Sequence, residues 1–179
     1  MPVLENLERI CVLRLSAIGD ICHALPVVRT LQDAYPSANI TWIIGKLEAT
    51  LIGDIPGIEF IIFDKRGGWR EHARVGALLK GRNFDVLLHM QVALRASLLS
   101  LRVSAKTRVG FDRARAKDFQ WLFSNRKIPA QSRQHVIDGL FGFARAIGIE
   151  QRIISWDIPL SDADLAFADS TCGATPTLV

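Results

Sequence analysis

Residues 15–26 read Leu-Ser-Ala-Ile-Gly-Asp-Ile-Cys-His-Ala-Leu-Pro, which puts a hydroxyl (Ser16), a flexible joint (Gly19), a carboxylate (Asp20) and an imidazole (His23) close together. The run just before them, Ile10-Cys-Val-Leu-Arg-Leu15, has the composition of a buried strand. Beyond the carboxyl ends of such strands open α/β sheets hold their ligands. Two nucleotide-binding patterns are testable here and neither is present: there is no GxGxxG and no GxxxxGK[ST]. One glycine, Gly19, allows a tight turn or a close backbone approach by a ligand. Asp20 sets a negative charge at a helix mouth, where a phosphate-binding loop avoids one. That favours a carboxylate acting on a hydroxyl over a phosphate cradle. Asp20 equally suits a helix N-cap, Ser16 a loop amide and His23 a packed helix position. Pro26 either opens a helix or lies inside one begun near Asp20 and bends it.

The elements that would carry this loop alternate. Strand-like runs fall at Ile10–Leu15, Asn39–Ile44, Ile58–Phe63, Phe84–Met90 and Thr107–Phe111. Helix-length segments fall near 21–34, 47–52, 70–80, 92–101, 116–123 and 134–147. Pro36, Pro56-Gly57 and Gly67-Gly68 punctuate them. Short buried strands alternating with helices predict an α/β fold with a parallel, doubly wound sheet; antiparallel α+β is the alternative.

Composition bounds the function classes. Hydrophobic residues make up 49% and charged residues 22% of 179, an ordinary globular balance. No stretch is long and apolar enough to span a bilayer. Glu5, Glu8 and Arg14 argue against a secretory signal, and three cysteines without a CxxC pair argue against a disulfide framework or zinc site, so a reducing cytoplasm is expected. Charge is uneven: residues 1–64 carry net −4, residues 65–133 net +12 from 16 basic and 4 acidic side chains, and residues 134–179 net −4. The middle third therefore calls for an anionic partner, whether nucleic acid, phosphorylated glycolipid or membrane surface.

Near the C-terminus, Ser161 can cap a short helix through Asp162, Asp164 and Phe167. Thr177-Leu-Val179 then reads as a strand being entered. The expectation is a domain over 1–160, followed at 161–179 by a linker and the start of a second domain.

The stretch Arg14-Leu-Ser16-Ala17-Ile18-Gly19-Asp20-Ile-Cys-His23-Ala-Leu-Pro26 resembles the N-terminal signature of the ADP-heptose:lipopolysaccharide heptosyltransferases, glycosyltransferase family 9. Thr107-Arg-Val-Gly110-Phe111-Asp112, Asn125-Arg126 and Gln134-His135-Val136 resemble later landmarks of the same half, in order. The likeness runs from about Ile10 to Leu160 and is nearer the type I than the type II enzymes.

This resemblance implies a Rossmann-like N-terminal, acceptor-binding half of a GT-B glycosyltransferase, with the nucleotide-sugar site mostly in a C-terminal domain that this chain lacks. It implies inverting transfer of L-glycero-D-manno-heptose from ADP-heptose to Kdo–lipid A at the inner membrane surface. Asp20, at the matching position, becomes the general base, taking the proton late as an oxocarbenium-like centre develops. Ser16, Ala17, Ile18, Gly19 and His23 form the donor-side loop, at the positive end of a helix. The resemblance implies neither a catalytic metal nor a cofactor. Lys65, Arg66, Arg70, Arg113, Arg115, Lys117 and His135 are the candidate acceptor contacts, Arg being suited to forked contacts with carboxylate and phosphate. Trp69 and Trp121 fit lipid, sugar or plain core packing, and His135 also fits a helix cap. Two rivals stand beside it: a non-catalytic acceptor-binding fragment, since half a cleft cannot hold the donor, and a nucleic-acid-binding module using the basic stripe at 65–133, which no binding motif accompanies.

Overall fold

The computed structural model describes residue 4 and residues 6–130 and 135–172. Its centre is a parallel sheet: β1 Arg9–Leu13, β2 Asn39–Gly45, β3 Ile58–Phe63, β4 Asn83–His89, β5 Ser104–Gly110 and β6 Arg126–Lys127, in the order β3-β2-β1-β4-β5-β6. All neighbours pair in parallel. The central strands, RICVL, NITWIIG and NFDVLLH, are rich in branched and aromatic side chains and buried on both faces.

Helices α1 Ile18–Ala34, α2 Lys46–Ile52, α3 Gly68–Leu79, α4 Leu94–Ser100, α5 Val136–Ala146 and α6 Asp162–Cys172 complete the chain. Strand side chains alternate between two cores. Ile10 and Val12 join α1, α2 and α5 on one face. Cys11 and Leu13 join Val75 and Leu79 of α3 and Ala96 and Leu99 of α4 on the other. The antiparallel alternative is therefore excluded, and the sheet is doubly wound. Its direction of winding reverses between β1 and β4, where Leu13 lies beside His89. The loops leaving these two strands open the crevice in which such folds bind ligands.

Pro26 lies inside α1. It has no N–H, so the carbonyl of Cys22, four residues earlier, loses its helical donor. The indole N–H of Trp156 fills that place at 2.8 Å. The Ile153 N–H donates to Thr30 Oγ1 at 2.9 Å, and Arg29 donates to the Asp157 carbonyl at 2.8 Å. A proline in the helix thus creates an acceptor that straps residues 153–157 along α1.

The helix expected over 116–123 is mostly absent. Asp118 and Phe119 have φ of 50° and 59°, a left-handed turn that a helix cannot pass through, and only Gln120–Phe123 forms a short 3-10 turn. β6, two residues long and basic, carries no strand pattern and was not expected. Ser161 does cap α6: its hydroxyl accepts from the Asp164 N–H, and Asp164 accepts from the Ser161 N–H at 2.9 Å. Gln134 and the strand entry at Thr177–Val179 lie outside the described residues.

Candidate active site at the β1–β4 crevice

Helix α1 begins directly behind β1. Ala17 is its N-cap and offers no side-chain acceptor, so the cap is closed from the other side: the Asp20 carboxylate, in the first turn, accepts the Ala17 N–H through Oδ2 at 3.2 Å. Asp20 is therefore not the N-cap residue itself. Arg14 forms an ion pair with the same Oδ2 and also donates to the Met90 carbonyl, which ties the loop after β1 to the loop after β4. Oδ1 has no partner among the described residues, and the Asp20 side chain is 40% exposed. One carboxylate oxygen is held and the other is open. Beside it, a Cβ placed on Gly19 would meet no atom of the chain within 4 Å, so nothing in the packing demands glycine there and the backbone faces free space.

Two glutamines that sequence reading missed build the floor. The Gln91 side chain accepts the Leu15 and Ser16 N–H groups at 2.7 and 3.2 Å and donates to the Ser16 hydroxyl at 3.3 Å. Gln120, fully buried, donates to the His89 and Gln91 carbonyls, both at 2.9 Å, and accepts from the Phe111 N–H at 3.3 Å. Below them His89 is fully buried; burial, aided by the Arg108 guanidinium, pushes its pKa down to about 3. Arg108 in turn donates to the carbonyls of Ser100, Val103 and Phe123. These bonds pin the crevice floor, while both ring nitrogens of His89 are buried without a hydrogen-bond partner.

The basic residues divide. Lys65 borders a cavity of about 190 Å³ together with Leu15, Ser16, Gln91, Ala93 and Arg95, so the β3–α3 loop does reach the crevice. Its ammonium pairs at 2.9 Å with Glu48, a carboxylate only 4% exposed. A second hollow, about 490 Å³, lies between Lys46, Lys65 and Arg66. Arg66, on the β3–α3 loop, and Arg70, in the first turn of α3, are exposed; Glu71, whose carboxylate accepts the Asp64 N–H at 2.8 Å, ties that loop to the helix. The Arg74 guanidinium beside Glu71 holds that carboxyl below the usual range. Arg113 and Lys117 are exposed as well. Arg115 is different: it pairs with the buried Asp112 at 2.5 Å, donates to the Pro129 carbonyl at 3.1 Å and packs over Gly139 of α5. Arg95, not foreseen, faces the same cavity as Lys65.

His135 is the N-cap of α5, its Nδ1 accepting the Ile137 N–H at 3.4 Å. Its ring meets that of His23 edge-to-face at 5.6 Å, and His23 Nδ1 is buried without a partner. Among the described residues no three His, Cys, Asp or Glu side chains are grouped to hold a metal ion.

Comparison with known proteins decides what this architecture belongs to. The profile of glycosyltransferase family 9 (heptosyltransferase) matches residues 72–179. The chain belongs to glycosyltransferase family 9. Its similarity to one curated family member is substantial: 45% identity over 170 residues with the lipopolysaccharide core heptosyltransferase OpsX of Haemophilus influenzae, covering 94% of this chain and 49% of that protein. A family 9 glycosyltransferase structure from Veillonella parvula superposes with a TM-score of 0.78 at 21% identity, over 95% of this chain and 51% of that one. The Escherichia coli heptosyltransferase WaaC with ADP-2-deoxy-2-fluoro heptose gives 0.70 at 22%, over 94% and 55%. The chain spans about half the length of the curated family 9 relatives it matches. The Rossmann-like sheet expected of the first half of a GT-B family 9 enzyme is the fold observed.

Proposed function

We propose that this chain is the acceptor-side half of an inverting heptosyltransferase, moving L-glycero-D-manno-heptose from ADP-heptose to the Kdo–lipid A inner core. Asp20 is its general base. The observation that carries the reading is the state of that carboxylate: Oδ2 is held by Arg14 and the Ala17 N–H, and Oδ1 is open at the crevice. An acceptor hydroxyl at Oδ1 would sit within reach of a fixed base, which takes its proton as the bond to the leaving nucleotide breaks. The amino end of α1, with Gly19 exposed and no side chain covering it, suits the leaving diphosphate. Support for the donor comes from the relatives, which are named heptosyltransferases, one of them crystallised with an ADP-heptose analogue.

Lys65, Arg66, Arg70, Arg113 and Lys117 would meet Kdo carboxylates and lipid A phosphates, with Arg95 added by its place on the cavity. The enzyme would work at the cytoplasmic face of the inner membrane, and this half alone would not transfer heptose, because the donor is held mainly by a second domain. The test is a transfer assay with ADP-heptose and Kdo–lipid A, read by mass spectrometry. The full-length enzyme should add one heptose, and Asp20→Asn should lower kcat by roughly 10²–10⁴-fold. Transfer by the Asp20→Asn enzyme within tenfold of the unaltered one would remove Asp20 from the base role.

A further inference from the structure

Strands β4 and β5 pair as far as Leu88–Val109. In that register the next rung would join the Phe111 N–H to the His89 carbonyl. The strands part there instead, and the Gln120 carboxamide stands between the two groups, bonded to both. Its Oε1 accepts the Phe111 N–H at 3.3 Å, and its Nε2 donates to the His89 and Gln91 carbonyls, both at 2.9 Å. The side chain is fully buried. An apolar side chain of the same length would fill that space, but it would leave two carbonyls and an N–H without partners.

Met90, between the two bonded carbonyls, faces the opposite strand. Its N–H donates to the Leu13 carbonyl at 3.0 Å, and its own carbonyl accepts from Arg14, the residue that ion-pairs with Asp20. Gln91, the next residue, accepts the Leu15 and Ser16 N–H groups at 2.7 and 3.2 Å. Ala17 follows directly, and its N–H donates to Asp20. Two routes thus lead to the Asp20 carboxylate, one through Arg14 and one through Gln91. Both start from the three residues of backbone that Gln120 brackets.

We propose that Gln120 is a positioning residue for the reaction: its carboxamide, set between the parting ends of β4 and β5, fixes the His89–Gln91 backbone and, through Arg14 and Gln91, the seat of the Asp20 carboxylate. Closed off from solvent, Gln120 acts through these residues and not on substrate. The inference rests on Asp20 being the base, but half of its test does not.

Gln120→Met keeps the length of the side chain and removes its donors and acceptor. In the full-length enzyme, with kcat taken per folded molecule from circular dichroism, it should lower kcat by about 10- to 100-fold, the scale of a reacting group displaced by an ångström, and leave the acceptor KM within about threefold. In the same protein without substrates, hydrogen exchange at the Leu15 and Ser16 amides should quicken by about tenfold while β2 and β3 keep their protection. A merely structural role would quicken exchange throughout the sheet. Gln91→Met, at a half-buried position, covers a Gln120 variant that does not fold, and should also lower kcat. Where both fold, the double variant should be no slower than Gln120→Met alone, since Gln91 acts downstream of Gln120. Tyr35→Phe, which removes a hydrogen bond at the far end of α1, should change neither kcat nor exchange in the loop. Unchanged kcat in either glutamine variant, unaltered exchange at Leu15 and Ser16 in Gln120→Met, multiplied losses in the double variant, or the same losses in Tyr35→Phe overturns the proposal. An active Asp20→Asn enzyme would remove the base and leave the exchange result standing, whereas a failed clamp leaves Asp20→Asn impaired.

Discussion

Arg14 and Asp20 are ion-paired across the first turn of α1, and Arg14 also holds the Met90 carbonyl at the exit of β4. The carboxylate at the crevice is therefore positioned by a side chain anchored on both strands of the switch point. One of its oxygens, Oδ2, is bound to the scaffold, and the side chain is 40% exposed. Replacing Arg14 by Ala in the full-length enzyme should lower kcat by about 10²-fold, since loosening a reacting group by an ångström costs that much. Arg14→Lys, which keeps one of the two contacts, should recover part of it. A kcat for Arg14→Ala equal to that of the unaltered enzyme would show that the pair does not orient the base.

The acceptor cations should separate by their attachments. Arg66→Ala and Arg70→Ala remove exposed guanidinium groups and should raise the acceptor KM several-fold, with stability unchanged. Arg115→Ala strips the buried Asp112 of its cation and frees the Pro129 carbonyl. It should lower stability by about 2 kcal/mol, read by urea unfolding. Equal stability of all three variants would contradict that division.

His89 gives the fold an acid limit. Its folded-state pKa, about 3, lies below the ordinary 6.5 because burial and Arg108 disfavour the imidazolium. The neutral ring's contribution is complete above pH 6.5 and is lost as pH falls toward 3, because the unfolded chain takes up the proton first. At pH 4 the loss should reach about 3 kcal/mol. Comparing His89→Phe with the unaltered protein from pH 7 to pH 4 isolates it, since the carboxylates contribute equally to both. Parallel stability curves would refute the assignment.

Pro26 and Trp156 should be coupled. Trp156→Phe leaves the Cys22 carbonyl without its donor and should cost about 1 kcal/mol. In a Pro26→Ala background the restored helical N–H can serve that carbonyl, so the same change should cost less. A double-mutant cycle measures the difference, and strict additivity would break the link between proline and strap.

The parallel doubly wound sheet was legible in the sequence, because a buried strand must be continuously apolar and its spacing from the next leaves room for a covering helix. So was the place of Asp20, which follows β1 directly: chain order alone puts the first residues after a parallel strand at the sheet's carboxyl edge. The capping of α6 was legible too, since Ser161 and Asp164 satisfy each other within one turn. Tertiary structure alone decided the rest. Gln91 lies 75 residues from the Ser16 amide it accepts, and Gln120 lies 31 from the His89 carbonyl it reaches. No local pattern marks such partners. The helix expected over 116–123 failed for the same reason: Gln120 is drawn into the crevice floor, and the left-handed turn at Asp118 and Phe119 takes the place of helical backbone. A count of charges found the basic segment but could not sort it. Arg115 is spoken for by Asp112, while Arg66 and Arg70 stand free, and only the folded chain brings each cation to its acid or leaves it facing solvent.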